Sequence, residues 1–265
     1  MSHQYVFDDV IKNSTYIDLE PYNDADYYKN DKHLIEVYAK QLLGKLEFIE
    51  PQVYLHQQEV NMAKDFAKNF KKPIILMQPF GSTGGQFTQK CNKDSGIECT
   101  DITLMEDPSN RSLSFELTDK LCEELKEDYD LILIRTPNQY TPKDIPSLLQ
   151  ANGQPMPIRQ ILAILPYVKG FISCDSFLHH AAKAMELENG IVLWGTTKVE
   201  NLGYECFENL THDLDYVWIP NRQPHNNPDA DKKNKELMKR AYPVKETVEN
   251  IKERLMGWNN EKITN

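Results

Sequence analysis

Four short runs of nearly unbroken apolar residues recur along the chain: Pro73-Ile74-Ile75-Leu76-Met77, Leu131-Ile132-Leu133-Ile134, Gly170-Phe171-Ile172-Ser173 and Ile191-Val192-Leu193-Trp194. A strand with one face in water alternates apolar and polar side chains. A continuous run is covered on both faces, which points to the interior of a parallel sheet. None of the runs approaches the ~18 apolar residues a membrane span needs.

Between the runs the apolar spacing changes to that of helices. Residues 32–43 carry Leu34, Ile35, Tyr38 and Leu42, and residues 57–70 carry Val60, Ala63, Phe66 and Phe70. Residues 114–127 place Leu117, Leu121, Cys122 and Leu125 on one face, with Ser114 as N-cap. Further helices are predicted at Ile158–Leu165, 177–187 and 244–257, and Tyr216-Val217-Trp218-Ile219 is a candidate fifth strand. Strands alternating with helices mean crossover units, hence an α/β fold: a single Rossmann-like, doubly wound parallel sheet. The expected division is an irregular arm at 1–30, the Rossmann-like domain at 31–220, and a polar connector with a C-terminal helix packing on that domain at 221–265.

The 265 residues include 40 acidic and 30 basic side chains, a net charge of −10. That excludes a broadly basic nucleic-acid surface. The opening residues lack the charged-then-apolar pattern of a signal peptide, so a cytoplasmic protein is expected. The five cysteines are widely spaced. Cys91 and Cys99 lie in one polar stretch, where a disulfide or half a metal site competes with unpaired thiols, the default in a reduced compartment.

In doubly wound sheets ligands sit beyond the carboxyl ends of the strands, at a switch point. After the first strand comes Gln78-Pro79-Phe80-Gly81-Ser82-Thr83-Gly84-Gly85. It suits an anion cradle or a plain Gly-rich turn, and matches neither a Walker loop nor a dinucleotide fingerprint. After the second comes Arg135, placed for a phosphate or for a surface ion pair. After the third comes Asp175-Ser176-Phe177-Leu178-His179-His180, a carboxylate, a hydroxyl and two imidazoles at a helix start, where anions bind and N-caps also occur. After the fourth comes Gly195-Thr196-Thr197-Lys198. Together these ends favour a phosphorylated small ligand, most simply a nucleoside diphosphate.

The stretch from Phe171 to Tyr204 resembles the C-terminal domain of the heptosyltransferase family of GT-B glycosyltransferases. That family shows Asp-Ser/Thr-Gly-x-x-His-x-x-Ala-Ala, then a strand and Gly-Pro-Thr. Asp175, Ser176, His180, Ala184, Gly195 and Thr197 fall on this pattern. Ile75 to Thr83 is similar to the family's first strand and hydroxyl loop, and Arg111-Ser112-Leu113-Ser114 stands where the family has Lys/Arg-x-Trp-Pro. The similarity spans roughly residues 30–205. Phe177 replaces the motif's glycine, Thr196 its proline and Leu113 its tryptophan. The family's N-terminal, acceptor-binding domain has no counterpart here.

The resemblance implies a nucleotide-sugar donor, ADP-heptose-like, as co-substrate, with no metal and no other cofactor. It implies Arg111, Asp175 and His180 as catalytic residues. Ser82, Thr83, Ser176, Gly195, Thr196 and Thr197, with Arg135, would bind the donor. The acceptor base is not among them; Asp8, Asp9, Glu20, Asp24 and Asp26 are candidates, or a second copy or partner chain supplies the acceptor site. The expected function is sugar transfer to an unidentified acceptor. The alternatives are a nucleotide-sugar-binding module without transfer chemistry and a scaffold. A nucleic-acid acceptor is disfavoured by the net charge.

Overall fold

The computed structural model describes residues 20–29, 31–81, 87–90, 101–104, 107, 109–218 and 233–258, with backbone alone for 87–90 and 101–104. The chain divides into two compact units, Met1–Glu50 with Glu200–Leu202, and Pro51–Val199 with Gly203–Asn265.

The smaller unit contains the helices α1 (Ala25–Tyr28) and α2 (Leu34–Leu43). His33 starts α2 by accepting from Ile35 N–H at Nδ1 (3.1 Å), while its own N–H donates to the Glu36 carboxylate (3.0 Å). This reciprocal cap satisfies two N-terminal donors. Gly44, at φ 76°, ends the helix in the left-handed region that glycine adopts without strain. Asn201 Nδ2 donates to the carbonyls of Tyr27 and Lys32.

The larger unit holds α3 (Gln57–Ala67), β1 (Ile74–Gln78), β2 (Phe87–Lys90), β3 (Asp101–Leu104) and α4 (Phe115–Leu125). It continues with β4 (Asp130–Leu133), α5 (Ile158–Ile164), β5 (Gly170–Cys174) and α6 (Phe177–Ala184). In chain order then come β6 (Gly190–Leu193), α7 (Val199–Leu202, whose last three residues belong to the smaller unit), β7 (Glu208–Leu210), α8 (Leu237–Ala241) and α9 (Val244–Gly257). Five strands form one parallel sheet in the order β4-β1-β5-β6-β7, and β2 pairs with β3 in a separate antiparallel ribbon. The four apolar runs fall on β1, β4, β5 and β6; β4 stands at a sheet edge, and β1, β5 and β6 are buried along almost their whole length. Counting only the strands of the large sheet, the order is 2-1-3-4-5, which reverses between β1 and β5.

The fifth strand is Glu208–Leu210; Tyr216–Trp218 form no strand, and Ile219 lies outside the described residues. β7 runs parallel to β6 at the sheet edge, half-buried, so it needs no apolar run. The backbone of Val217 is satisfied instead by one side chain: Asn234 Oδ1 accepts its N–H (2.8 Å) and Asn234 Nδ2 donates to its carbonyl (2.9 Å).

One face of the sheet is closed by α4 and α9. Leu117, Leu121 and Leu125 meet Val248, Ile251 and Leu255 in one buried cluster that also takes in Ile75, Met77 and Leu133. Lys252 donates to Glu124 across the two helices (2.8 Å). The last helix therefore completes the core. Leu121 is fully buried, so Leu121→Ala is expected to cost about 2–5 kcal/mol of stability, read as a lower urea midpoint at unchanged slope.

Candidate functional site

The carboxyl ends of β1, β4 and β5 open into one cleft of about 280 Å³. It lies where the strand order reverses, the place at which neighbouring crossovers diverge and leave the sheet edge uncovered. Phe80, Ile134, Met156 and Ile161 give it an apolar wall, and Arg111, Arg135, Thr136, Asp175 and Ser176 give it polar groups. Thr136 Oγ1 has no hydrogen-bond partner among the described residues.

Arg111 reaches the cleft from the turn before α4. Its side chain is buried, with Nε donating to Ser109 Oγ (3.1 Å) and Nη1 donating to both the carbonyl and the carboxylate of Asp175 (3.3 Å each). Burial by itself favours the uncharged form, but Asp175 and Asp107 outweigh it and hold the guanidinium above its usual value. Asp175 is fully buried, and its carboxylate anchors Arg111 at the cleft.

The turn is built around Asp107, which the sequence does not single out beyond its turn-forming composition. Its Oδ1 accepts from Ser109 N–H (2.8 Å) and Ser109 Oγ (2.6 Å), and its Oδ2 from Ser112 N–H (3.1 Å) and Ser112 Oγ (2.5 Å). Burial pushes this carboxyl up, yet the hydrogen bonds from Ser109 and Ser112 more than offset it and hold it below the usual carboxylate range.

Arg135 lines the cleft and is held there through Nε and Nη1. Nε donates to Ser147 Oγ (2.8 Å), and Nη1 to the carbonyls of Thr136 (3.0 Å) and Pro137 (2.9 Å). Gln139 ties two strand ends together: its Oε1 accepts from Thr136 N–H (2.8 Å) and its Nε2 donates to the Gly81 carbonyl (2.6 Å). At the start of α6, Gln78 Oε1 accepts the Leu178 N–H (2.9 Å), so one of the donors expected to hold an anion already has a protein partner.

Several predicted site residues lie elsewhere. Ser82, Thr83, Cys91 and Cys99 fall outside the described residues. Gly195 and Thr196 pack beneath the Arg111 turn: Thr196 Oγ1 donates to the Ser109 carbonyl (2.6 Å). A Cβ on Gly195 would stand 2.3 Å from the Asn110 carbonyl oxygen, so glycine is there for close approach. Thr197 is buried and does not line the cleft; its Oγ1 has no partner among the described residues. His180 Nδ1 pairs with the Tyr204 hydroxyl (2.8 Å), away from the cleft. His179, fully buried, is the imidazole beside Asp175, with Nε2 3.9 Å from Oδ1. Among the candidate bases, Asp24 and Asp26 both hold Lys40 (3.0 and 2.6 Å). Cys122 and Cys174 are buried thiols, each pushed up to about 12 by burial.

Neither a protein-family model nor a curated protein matches the sequence. Solved structures do. The bacterial iron-containing dodecameric glycosyltransferase TibC of enterotoxigenic E. coli aligns at a TM-score of 0.52 and 9% identity, over 88% of this chain and 55% of that one. E. coli ADP-heptose LPS heptosyltransferase II aligns at 0.46 and 13% identity, over 80% of this chain and 55% of that one. The family 9 glycosyltransferase of Veillonella parvula aligns at 0.46 and 12% identity, over 74% and 51%. The chain has the fold of about half of a GT-B-like glycosyltransferase. It spans little more than half the length of the structures it matches.

On this glycosyltransferase-like fold, Asp175, His179 and His180 could offer ligand atoms within 4.8 Å of one another, a cluster that no metal motif in the sequence announces. The donor chemistry does not fit a cation. Ser176 N–H donates to His179 Nδ1 (3.3 Å), which leaves the ring proton on Nε2, the atom that faces Asp175. The Asp175 carboxylate is already shared with Arg111. No helix among the described residues is long and apolar enough to cross a membrane.

Two outcomes follow for the turn. Gly195→Ala is expected to cost about 1–3 kcal/mol through overpacking, a drop of several degrees in Tm. Asp107, with its folded pKa below the ordinary value, contributes stability that is complete above pH ~4 and is lost as pH falls through the folded pKa. Acid unfolding of Asp107→Asn should therefore begin from a lower stability and show a shallower pH dependence below pH ~4.

Proposed function

We propose that the cleft at the β1/β5 switch point binds a nucleotide-sugar and that the chain takes part in sugar transfer. The observation that carries this is Arg111, a buried cation held at the edge of a half-apolar cleft beyond the carboxyl ends of three strands. The apolar wall suits a base or sugar face, and Arg111 with Arg135 suits the diphosphate. TibC has been solved in complex with ADP-D-β-D-heptose, which makes an ADP-linked sugar the first ligand to try. In this reading Arg111 stabilises charge developing on the leaving diphosphate. Asp175 positions Arg111, and Ser176 lies at the cleft wall. Ser82 and Thr83, which follow the cleft residue Gly81 in sequence, remain donor-binding candidates in this reading. The ligand chemistry assigned to this chain's residues is phosphate and sugar recognition without a metal.

A second reading is a binding module completed by another chain or a second copy. It is favoured by the state of the carboxylates: Asp175 is fully buried against Arg111, and Asp107 is saturated by four hydrogen bonds. Both are already engaged by protein donors, which makes each a poor base for an acceptor hydroxyl.

The test is thermal unfolding with ADP, UDP, GDP and their sugar conjugates. A ligand at 100 times its Kd adds about 2.7 kcal/mol, a clear rise in Tm. No rise with any of them overturns the proposal. Release of nucleoside diphosphate from the stabilising donor separates a transferase or hydrolase from a module that only binds.

A further inference from the structure

We infer that Asp107 is the positioning residue of the cleft: one buried carboxylate that sets both the direction of Arg111 and the place of the Gly81 peptide beyond β1. The inference rests on the reading of Arg111 as the cation of the cleft. An arginine side chain has many rotamers, and it acts as a ready-made cation only if its surroundings select one of them. Here the selection runs through the turn. Ser109 accepts from Arg111 Nε, and Ser109 is held by Asp107 through its N–H and its hydroxyl. On the other side of Arg111, Ser112 is held by the second carboxylate oxygen in the same double manner.

The same carboxylate reaches the first strand. Ser112 Oγ, while donating to Asp107, accepts the Gly81 N–H (2.9 Å). Gly81 is the last described residue before Ser82 and Thr83. Its carbonyl is taken by Gln139, so its peptide is clamped on both sides. Leu113 N–H donates to the Pro79 carbonyl (2.8 Å) and adds a second tie between turn and strand end. Asn110, at φ 50°, lets the turn double back, with its N–H bonded to the Asp107 carbonyl (2.9 Å). Oxygen acceptors alone satisfy this arrangement. Asparagine at 107 would turn an amide NH₂ toward either Ser109 N–H or Ser112 N–H and break one half of it.

The test has a ligand-free arm. The Arg111 Nε–H resonance, assigned by its absence in Arg111→Lys, is expected to exchange slowly with water in the wild type. Asp107→Asn should speed that exchange at least tenfold. Ser112→Ala, which keeps the Ser112 N–H bond to Asp107, should speed it by a smaller factor and guards against failure of the first variant to fold. Leu121→Ala, which lowers Tm without touching the turn, should leave it unchanged. Unaltered exchange in both turn variants, or equal acceleration in Leu121→Ala, overturns the inference. The second arm is ADP affinity in a double-mutant cycle. Arg111→Lys is expected to weaken ADP binding at least tenfold in the wild type but less than threefold in the Asp107→Asn background. Additive losses overturn the positioning role. A wild-type protein that binds no ADP counts against the ADP-linked donor and leaves the exchange arm to decide on Asp107.

Discussion

The reversal of strand order between β1 and β5 is the constraint on which the rest of the site depends. From β1 the chain crosses to β4 on one side, then returns to β5 on the other. The connections leaving β1 and β5 therefore part company, and no crossover covers the sheet edge between them. Gly81, Arg135 and Asp175 come together only because their strands are neighbours at that break. β6 lies one strand further out, so the Gly195-Thr196 turn meets the outside of the Arg111 turn instead of the cleft.

Charge in this region is balanced rather than open. Arg111 is countered by Asp175 in direct contact and by Asp107 nearby. Arg135 is bound by backbone carbonyls. A buried ion pair of this kind adds little net stability, but it fixes geometry, because either partner left alone in the interior is costly. An anion entering the cleft meets a guanidinium whose position is already set, and loses less entropy in ordering it.

The large sheet was legible because burial on both faces leaves an unmistakable mark: Ile74–Met77 and Ile191–Leu193 have no polar position to offer water. Edge strand β7 left no such mark, since Glu208 and Asn209 sit half in solvent, and Val217 attracted the assignment by its apolar neighbours. By its spacing from Asp175, His180 is the residue that aligns with the histidine of the heptosyltransferase pattern. Helix geometry turns that side chain toward Tyr204 and puts His179 next to Asp175. Asp107 had no sequence signal above that of any Asp in a turn. Its importance comes from four donors that converge on it from residues whose spacing alone does not predict convergence.

By itself, then, the sequence determined the class of fold and four of the five strands of its sheet, because hydrophobic burial and helix periodicity are local patterns. Tertiary structure alone decided which strand ends meet. Strand order is a property of long-range pairing, and the side chains that share a cleft are selected by neighbours in the sheet rather than by neighbours in the chain.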